Sequence, residues 1–179
     1  RILEHDKIII ENWNKKVNNN DTVYILGDIG RLGNNKDNAY ICSIISQLKG
    51  KSKILVVGNH DVKGLKDNRI AQLFTEIYDY KEITDNYNGM NHNLILCHYP
   101  ILFWNNQHKG WIHLYGHVHK SEEWQKYKEC LNNVNDYFAD RELKGHTDCP
   151  QVKAYNVGAM LWDYTPRTLK EIIEGENKV

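Results

Sequence analysis

The chain has 179 residues, 41% of them apolar and 26% charged, with 23 basic and 23 acidic side chains and a formal net charge of zero. That length and balance suit a single globular domain with a sizeable core, and they argue against a broadly basic nucleic-acid binder. No apolar run is long enough to span a bilayer, and no secretory apolar segment is recognisable.

The cysteines are Cys42, Cys97, Cys130 and Cys149, and none forms a Cys-x-x-Cys pair. Without a secretion signal they are expected to be reduced, in a cytoplasmic protein. Pairing or metal binding by Cys130 and Cys149 is the alternative.

Residues 2–17 read as an amphipathic helix, with Ile2, Ile9 and Trp13 able to share a face, ended by the Asn18-Asn19-Asn20-Asp21 turn cluster. Thr22 to Leu26 is apolar almost throughout, as a strand buried on both faces would be, and it runs into Gly27-Asp28. A helix is expected over 37–49, with Ile41, Ile44, Ile45 and Leu48 at helical spacing and Gly50 as its C-cap. A second buried strand, Lys53 to Val57, runs into Gly58-Asn59-His60-Asp61. A short helix over 67–74 follows. Strands over 76–83 and 93–97 flank the Asn88-Gly89 turn signal, and the second ends at His98. A strand over 111–115 ends in Gly116-His117-Val118-His119. Residues 120–150 are polar and rich in Asn, Lys and Glu, and read as an insertion or long loop within one domain spanning 1–179. A last strand, 152–157, leads to Gly158, and Thr168-x-x-Glu171 is a capping box for a C-terminal helix.

Four of these strands end in residues that carry chemistry. In α/β sheets that edge is where ligands bind. Together they offer the carboxylate of Asp28, the amide of Asn59 and the imidazoles of His60, His98, His117 and His119. Oxygen and imidazole without thiolate suit manganese, iron, zinc or nickel better than copper(I) or an iron–sulfur cluster. His117 and His119 are two residues apart, so on extended backbone both would point to one site. A lone Gly-Asp or a lone strand histidine is more often a turn or a core residue, and only the ordered set carries weight.

That ordered set, Gly27-Asp28, Gly58-Asn59-His60-Asp61, His98 and Gly116-His117-Val118-His119, resembles the calcineurin-like metallophosphoesterases from Asp21 to about Thr168. The small bacterial and phage phosphoesterases are the most similar branch. Ile10-Glu11-Asn12-Trp13-Asn14, His98-Tyr99-Pro100 and Tyr155-Asn156-Val157-Gly158 resemble their runs. The resemblance implies an α/β fold of two packed mixed sheets flanked by helices, a four-layer sandwich. It implies hydrolysis of a phosphomonoester or phosphodiester at a dinuclear divalent-metal centre, manganese foremost, with a metal-bridging hydroxide as nucleophile. Asp28 would bridge the two metals, Asn59, His98 and His117 would complete the second, and His119 would bind the first. His60 would assist the leaving group as a proton donor, and Asp61 would orient His60.

The family's first motif, Asp-x-His at the end of an initial strand, is absent from this sequence. His5-Asp6 has the wrong order and sits in a helical pattern. The expectation is that the natural protein has an upstream strand, since the chain opens at Arg1 within an uncapped helical pattern. Within these 179 residues the second site is complete, and the chain could hold one ion well and the other poorly. The rival readings are a nuclease, which would need a basic groove, and an inactive metal-binding or partner-binding module.

Arg31 could clamp a substrate phosphate. Tyr99, Trp104, His108 and Trp111 lie between ligand segments and could line a pocket for a small phosphoester or nucleotide. Lys and Glu alternate over 120–128, which reads as a solvated face rather than a nucleic-acid patch. His5, His92, His113 and His146 have no spacing argument and read as ordinary residues.

Overall fold

The computed structural model describes residues 2–146 and 150–175. Cys149 and residues 147–149 of the polar stretch lie outside the described residues. Cys42, Cys97 and Cys130 are free thiols. Among the described residues, no helix is long and apolar enough to cross a membrane.

The elements run α1 (Ile2–Lys16), β1 (Thr22–Ile25), α2 (Asn35–Ile45), β2 (Ser52–Val56), α3 (Asn68–Ala71), β3 (Glu76–Tyr78), β4 (Tyr80–Tyr87), β5 (Met90–Cys97), β6 (Ile112–Tyr115), α4 (Glu122–Leu143), β7 (Ala154–Asn156) and α5 (Leu169–Gly175). The strands form two sheets, β1-β2-β3 and β4-β5-β6-β7. The first is wholly parallel rather than mixed, and the second is mixed, with β4 antiparallel to β5 and the rest parallel.

Period-two alternation sorts the core into layers. On β2, Leu55 joins Trp13 of α1, Val17 just beyond it, Ile45 of α2 and Ile70 of α3. Val56 faces the other way, toward Leu94 and Leu96 of β5, Leu114 of β6 and Ile172 of α5. On β5, Ile95 points outward again, toward Tyr115 and the buried face of α4. The order is therefore helices α1–α3, first sheet, second sheet, α4. Burial on both sides explains the continuous apolar run of β2 at Ile54–Val56; β1, expected to be buried in the same way, is only half-buried over Val23–Ile25.

Three expectations are corrected. Residues 122–143 are not loop but a helix of 22 residues. Its buried positions Trp124, Tyr127, Leu131, Val134 and Phe138 recur every three or four residues, so a narrow apolar stripe docks it while the rest stays polar. Ser121 caps it, accepting from Trp124 N at 3.3 Å. Next, the run 76–83 is two strands in different sheets, the chain crossing at Asp79. Lastly, α2 ends at Ile45 with Ser46 as C-cap, and Gly50 lies beyond it at φ 125° in the turn to β2. The Asn88-Gly89 hairpin forms as expected, with both residues left-handed at φ 52° and 74°.

The Thr168–Glu171 capping box closes in both directions, Thr168 N donating to Glu171 Oε2 at 2.9 Å and Glu171 N to Thr168 Oγ1 at 3.3 Å. Glu171 also accepts from Lys16 Nζ at 2.5 Å, tying α5 to α1. Burial pushes the Glu171 carboxyl up, but Lys16 and the Thr168 donors outweigh it and hold it at about 2. The folded value lies below the ordinary 4.5. Stability from the ionised form is therefore complete above that ordinary value and is lost as pH falls toward 2. Glu171→Gln should lower the urea midpoint at pH 7, and its difference from the parent chain should shrink as pH drops from 4.5 to 2. A difference independent of pH would remove the carboxylate from the explanation.

Candidate metal centre

The C-terminal ends of β1, β2, β5 and β6 bring Asp28, Asn59, His98 and His117 to one point. His98 is buried, and its Nδ1–H donates to the Leu26 carbonyl at 2.7 Å. That bond fixes the tautomer and turns the Nε2 lone pair into the site. Around Nε2 lie Asp28 Oδ2 at 3.4 Å, Asn59 Oδ1 at 3.2 Å and His117 Nδ1 at 3.2 Å. A carboxylate oxygen, an amide oxygen and a second imidazole nitrogen thus crowd Nε2, an arrangement that a cation stabilises. Donors held about 2.0–2.2 Å from a common ion stand roughly 2.8–3.6 Å apart, which matches these separations. Asp28, His98 and His117 alone form a group able to hold a metal ion among the described residues. The donor set fits a hard or borderline divalent cation.

Two of these residues adopt left-handed backbone, Asp28 at φ 55° and His117 at φ 62°. Such a conformation costs roughly 1–2 kcal/mol per non-glycine residue, and its recurrence at ligand positions marks a functional site. The left-handed His117 also corrects the expectation of extended backbone at His117-Val118-His119. His119 is exposed and lies outside the Asp28–His98–His117 group. Gly27 explains how β1 and β2 approach so closely at their ends. A Cβ there would stand 2.5 Å from Gly58 N and 2.6 Å from His98 Nδ1.

Asp61 is fully buried and does not orient His60. Its carboxylate accepts Asp28 N at 2.8 Å, Gly58 N at 2.8 Å and Ile29 N at 3.0 Å. Those three amides bind the β1 and β2 loops together and leave nothing directed at an imidazole. Burial pushes the Asp61 carboxyl above its ordinary value, against the pull of the amides. His60 is exposed, and its backbone N–H donates to Asp28 Oδ1 at 3.0 Å, so Oδ2 is the oxygen turned to His98.

Tyr99 is half-exposed and sets its ring edge-on against His98 at 5.0 Å and His117 at 4.8 Å. Arg31 is 92% exposed and reaches only toward Asp37, at 3.6 Å. His108 is exposed in a short turn, Gln107–Lys109. Trp104 is not a pocket wall: it is buried, donating from Nε1 to the Trp111 carbonyl at 2.9 Å, while Trp111 packs on the α4 core. His5 and Asp6 lie on α1, with Tyr164 against the first and the Tyr40 hydroxyl on the second.

His113, read as ordinary from the sequence, supports the ligand loop. It is fully buried, its ring spanning Ile95 O at 3.3 Å and Ile101 N at 3.2 Å, with Tyr99 O at 3.2 Å. Burial pushes its pKa to about 4, so the folded chain holds it neutral. Its residue type carries no signal, because an inward position on β6 is legible only once the strand's facing is known.

A two-sheet α/β sandwich with an oxygen–imidazole site at the strand ends is the architecture of a candidate metal-binding protein. The model of the calcineurin-like phosphoesterase family matches residues 3–162, and the chain belongs to that family. The protein MJ1445 of Methanocaldococcus jannaschii, named as uncharacterized, is 27% identical over 174 residues, covering 97% of this chain and 76% of that protein. The Gene 66 protein of Mycobacterium phage D29 is 27% identical over 134 residues, covering 65% of this chain and 66% of its own length. The crystal structure of AQ665 from Aquifex aeolicus, a protein of unknown function, aligns with TM-score 0.58 at 25% identity, covering 97% of this chain and 86% of that one. Membership places the chain among metal-dependent phosphoester hydrolases.

Asp61→Asn retains shape but replaces one accepting oxygen with a donor, so a buried N–H loses its partner. A loss of about 1–3 kcal/mol in urea unfolding of the metal-free chain is expected. An unchanged midpoint would show that the carboxylate does not hold the two loops.

Proposed function

We propose that the chain hydrolyses a small phosphate ester, mono- or diester, with divalent ions held at the strand ends. The observation that carries this reading is the convergence of Asp28 Oδ2, Asn59 Oδ1 and His117 Nδ1 on His98 Nε2, all within 3.4 Å. Asp28, Asn59, His98 and His117 hold one ion, and Asp28 and His119 contribute to a second. Manganese is the favoured metal, with iron, zinc or nickel compatible with the same donors. When bound, such ions neutralise phosphoryl oxygens and lower the pKa of an attacking water.

The chain's own residues supply the rest. Asp28, fixed by the His60 N–H on one oxygen, presents the other to the ion. His98 is locked in the tautomer that donates its lone pair. His60, exposed beside Asp28, donates a proton to the leaving oxygen. Tyr99, against both imidazoles and open to solvent, forms a wall for the ester's organic group, including a nucleobase. Arg31, exposed three residues after Asp28, is the candidate contact for a substrate phosphate. The protein acts in the cytoplasm in this reading.

One observation favours a second reading. The 179 residues contain no Asp-x-His, so within them the first ion has only Asp28 and His119. A module that binds one ion without turnover follows if nothing else completes that site.

Elemental analysis after manganese loading separates the readings. Two ions per chain support the dinuclear hydrolase, one supports the partial site, and none in a folded chain removes the proposal. In a chain with activity, Asp28→Asn should abolish turnover of bis(p-nitrophenyl) phosphate with the fold intact by circular dichroism. His60→Gln should lower kcat by about 10²–10⁴-fold while keeping metal content, as loss of a general acid does. Parallel loss of metal would make His60 a ligand instead.

A further inference from the structure

Between the two imidazoles of the β6 loop stands Val118, and the structure fixes that residue from several directions. Its N–H donates to the Gly116 carbonyl at 2.7 Å, and its side chain is buried against the α4 core. Its carbonyl accepts from the side-chain amide of Asn156 at 2.6 Å. Asn156 is buried at the end of β7, beside Tyr115 of β6. Its Oδ1 accepts Gly158 N at 2.9 Å, and its own carbonyl accepts Trp162 Nε1 at 2.9 Å. The segment beyond Trp162 is anchored in turn, since Asn12 of α1 donates to the Asp163 carbonyl at 2.9 Å and Tyr164 packs edge-on to His5.

These contacts form a continuous brace from α1 through residues 162–164 to Asn156 and then to Val118. Its last contact falls on the peptide carbonyl between His117 and His119. His117 sits in left-handed backbone, a conformation that persists only where neighbours over-determine it. These hydrogen bonds of Asn156 go to Val118, Gly158 and Trp162, and none of them goes to Asp28, Asn59, His98 or an imidazole.

We infer that Asn156 is a positioning residue, whose side-chain N–H sets the backbone that aims His117 and His119 at the metal centre. The inference rests on the metal reading above. A partner one step removed from a ligand typically changes metal affinity by about 10–100-fold when lost. Asn156→Asp is the informative change. It keeps the shape and the acceptor for Gly158 but sets a carboxylate oxygen against the Val118 carbonyl. Asn156→Ala removes the donor without adding charge and serves if the aspartate variant does not fold. Leu169→Ala, in the α5 core and outside the hydrogen bonds of this brace, is the control for general loss of stability.

The test measures manganese affinity by calorimetry and the visible absorption of the cobalt-loaded chain, alongside the metal-free melting temperature. Expected is an affinity for manganese about 10–100-fold weaker in Asn156→Asp, with altered cobalt bands, on the scale of lost outer contacts to metal ligands. Leu169→Ala should melt earlier but keep the parent affinity and spectrum. Parent affinity and spectrum in the Asn156 variants would overturn the inference, as would an equal loss of affinity in Leu169→Ala. Failure of the parent chain itself to bind either metal would remove the underlying metal reading, an outcome visible before any variant is made.

Discussion

Three backbone N–H groups from two loops converge on one buried carboxylate, and the candidate site depends on that convergence. Asp61 takes the amides of Asp28 and Ile29 from the β1 loop and of Gly58 from the β2 loop. The loops meet so closely that only glycine fits at 27, where any Cβ would strike Gly58 and His98. With the backbone fixed in this way, Asp28 is held left-handed and its oxygens are divided, one to the His60 amide and one to the site. A buried carboxylate would be costly unpaired, and here its three amides offset part of that cost.

The site's donors are legible in the sequence for a simple reason. Strands in a layered sheet read as largely apolar runs, and Asp28, Asn59, His98 and His117 each stand just past such a run. The neighbours that support them are not legible in the same way. Adjacency in the motif suggests that Asp61 faces His60. The fold instead turns its carboxylate inward, where unpaired amides from another loop outweigh a solvent-exposed imidazole. His113 and Asn156 carry no motif, and their roles follow from which face of β6 and which end of β7 they occupy.

The same distinction explains why the stretch 120–150 reads as loop. Its average composition is polar, and averaging conceals a stripe of Trp124, Tyr127, Leu131, Val134 and Phe138 at spacings of three and four. Only one face of α4 is needed to cover the second sheet, so the rest of its surface can be Lys, Glu and Asn without loss. The split of residues 76–83 is different in kind. No local pattern distinguishes one strand from two when consecutive segments leave one sheet and enter another.

The four candidate ligands divide evenly between the sheets. Asp28 and Asn59 follow β1 and β2, and His98 and His117 follow β5 and β6. Near the site the sheets are joined by the His98–Leu26 hydrogen bond and by the shared core of Val56, Leu96 and Leu114. An ion held by all four residues would add a cross-link between the sheets at the edge where they open to solvent. Because the unfolded chain cannot assemble this set, affinity for the ion is converted into stability of the folded state, by about 2.7 kcal/mol at a hundredfold excess over Kd. The left-handed backbone at Asp28 and His117 and the crowding of donor atoms around His98 fall at this same edge, where a bound cation would offset the local cost of bringing those donors together.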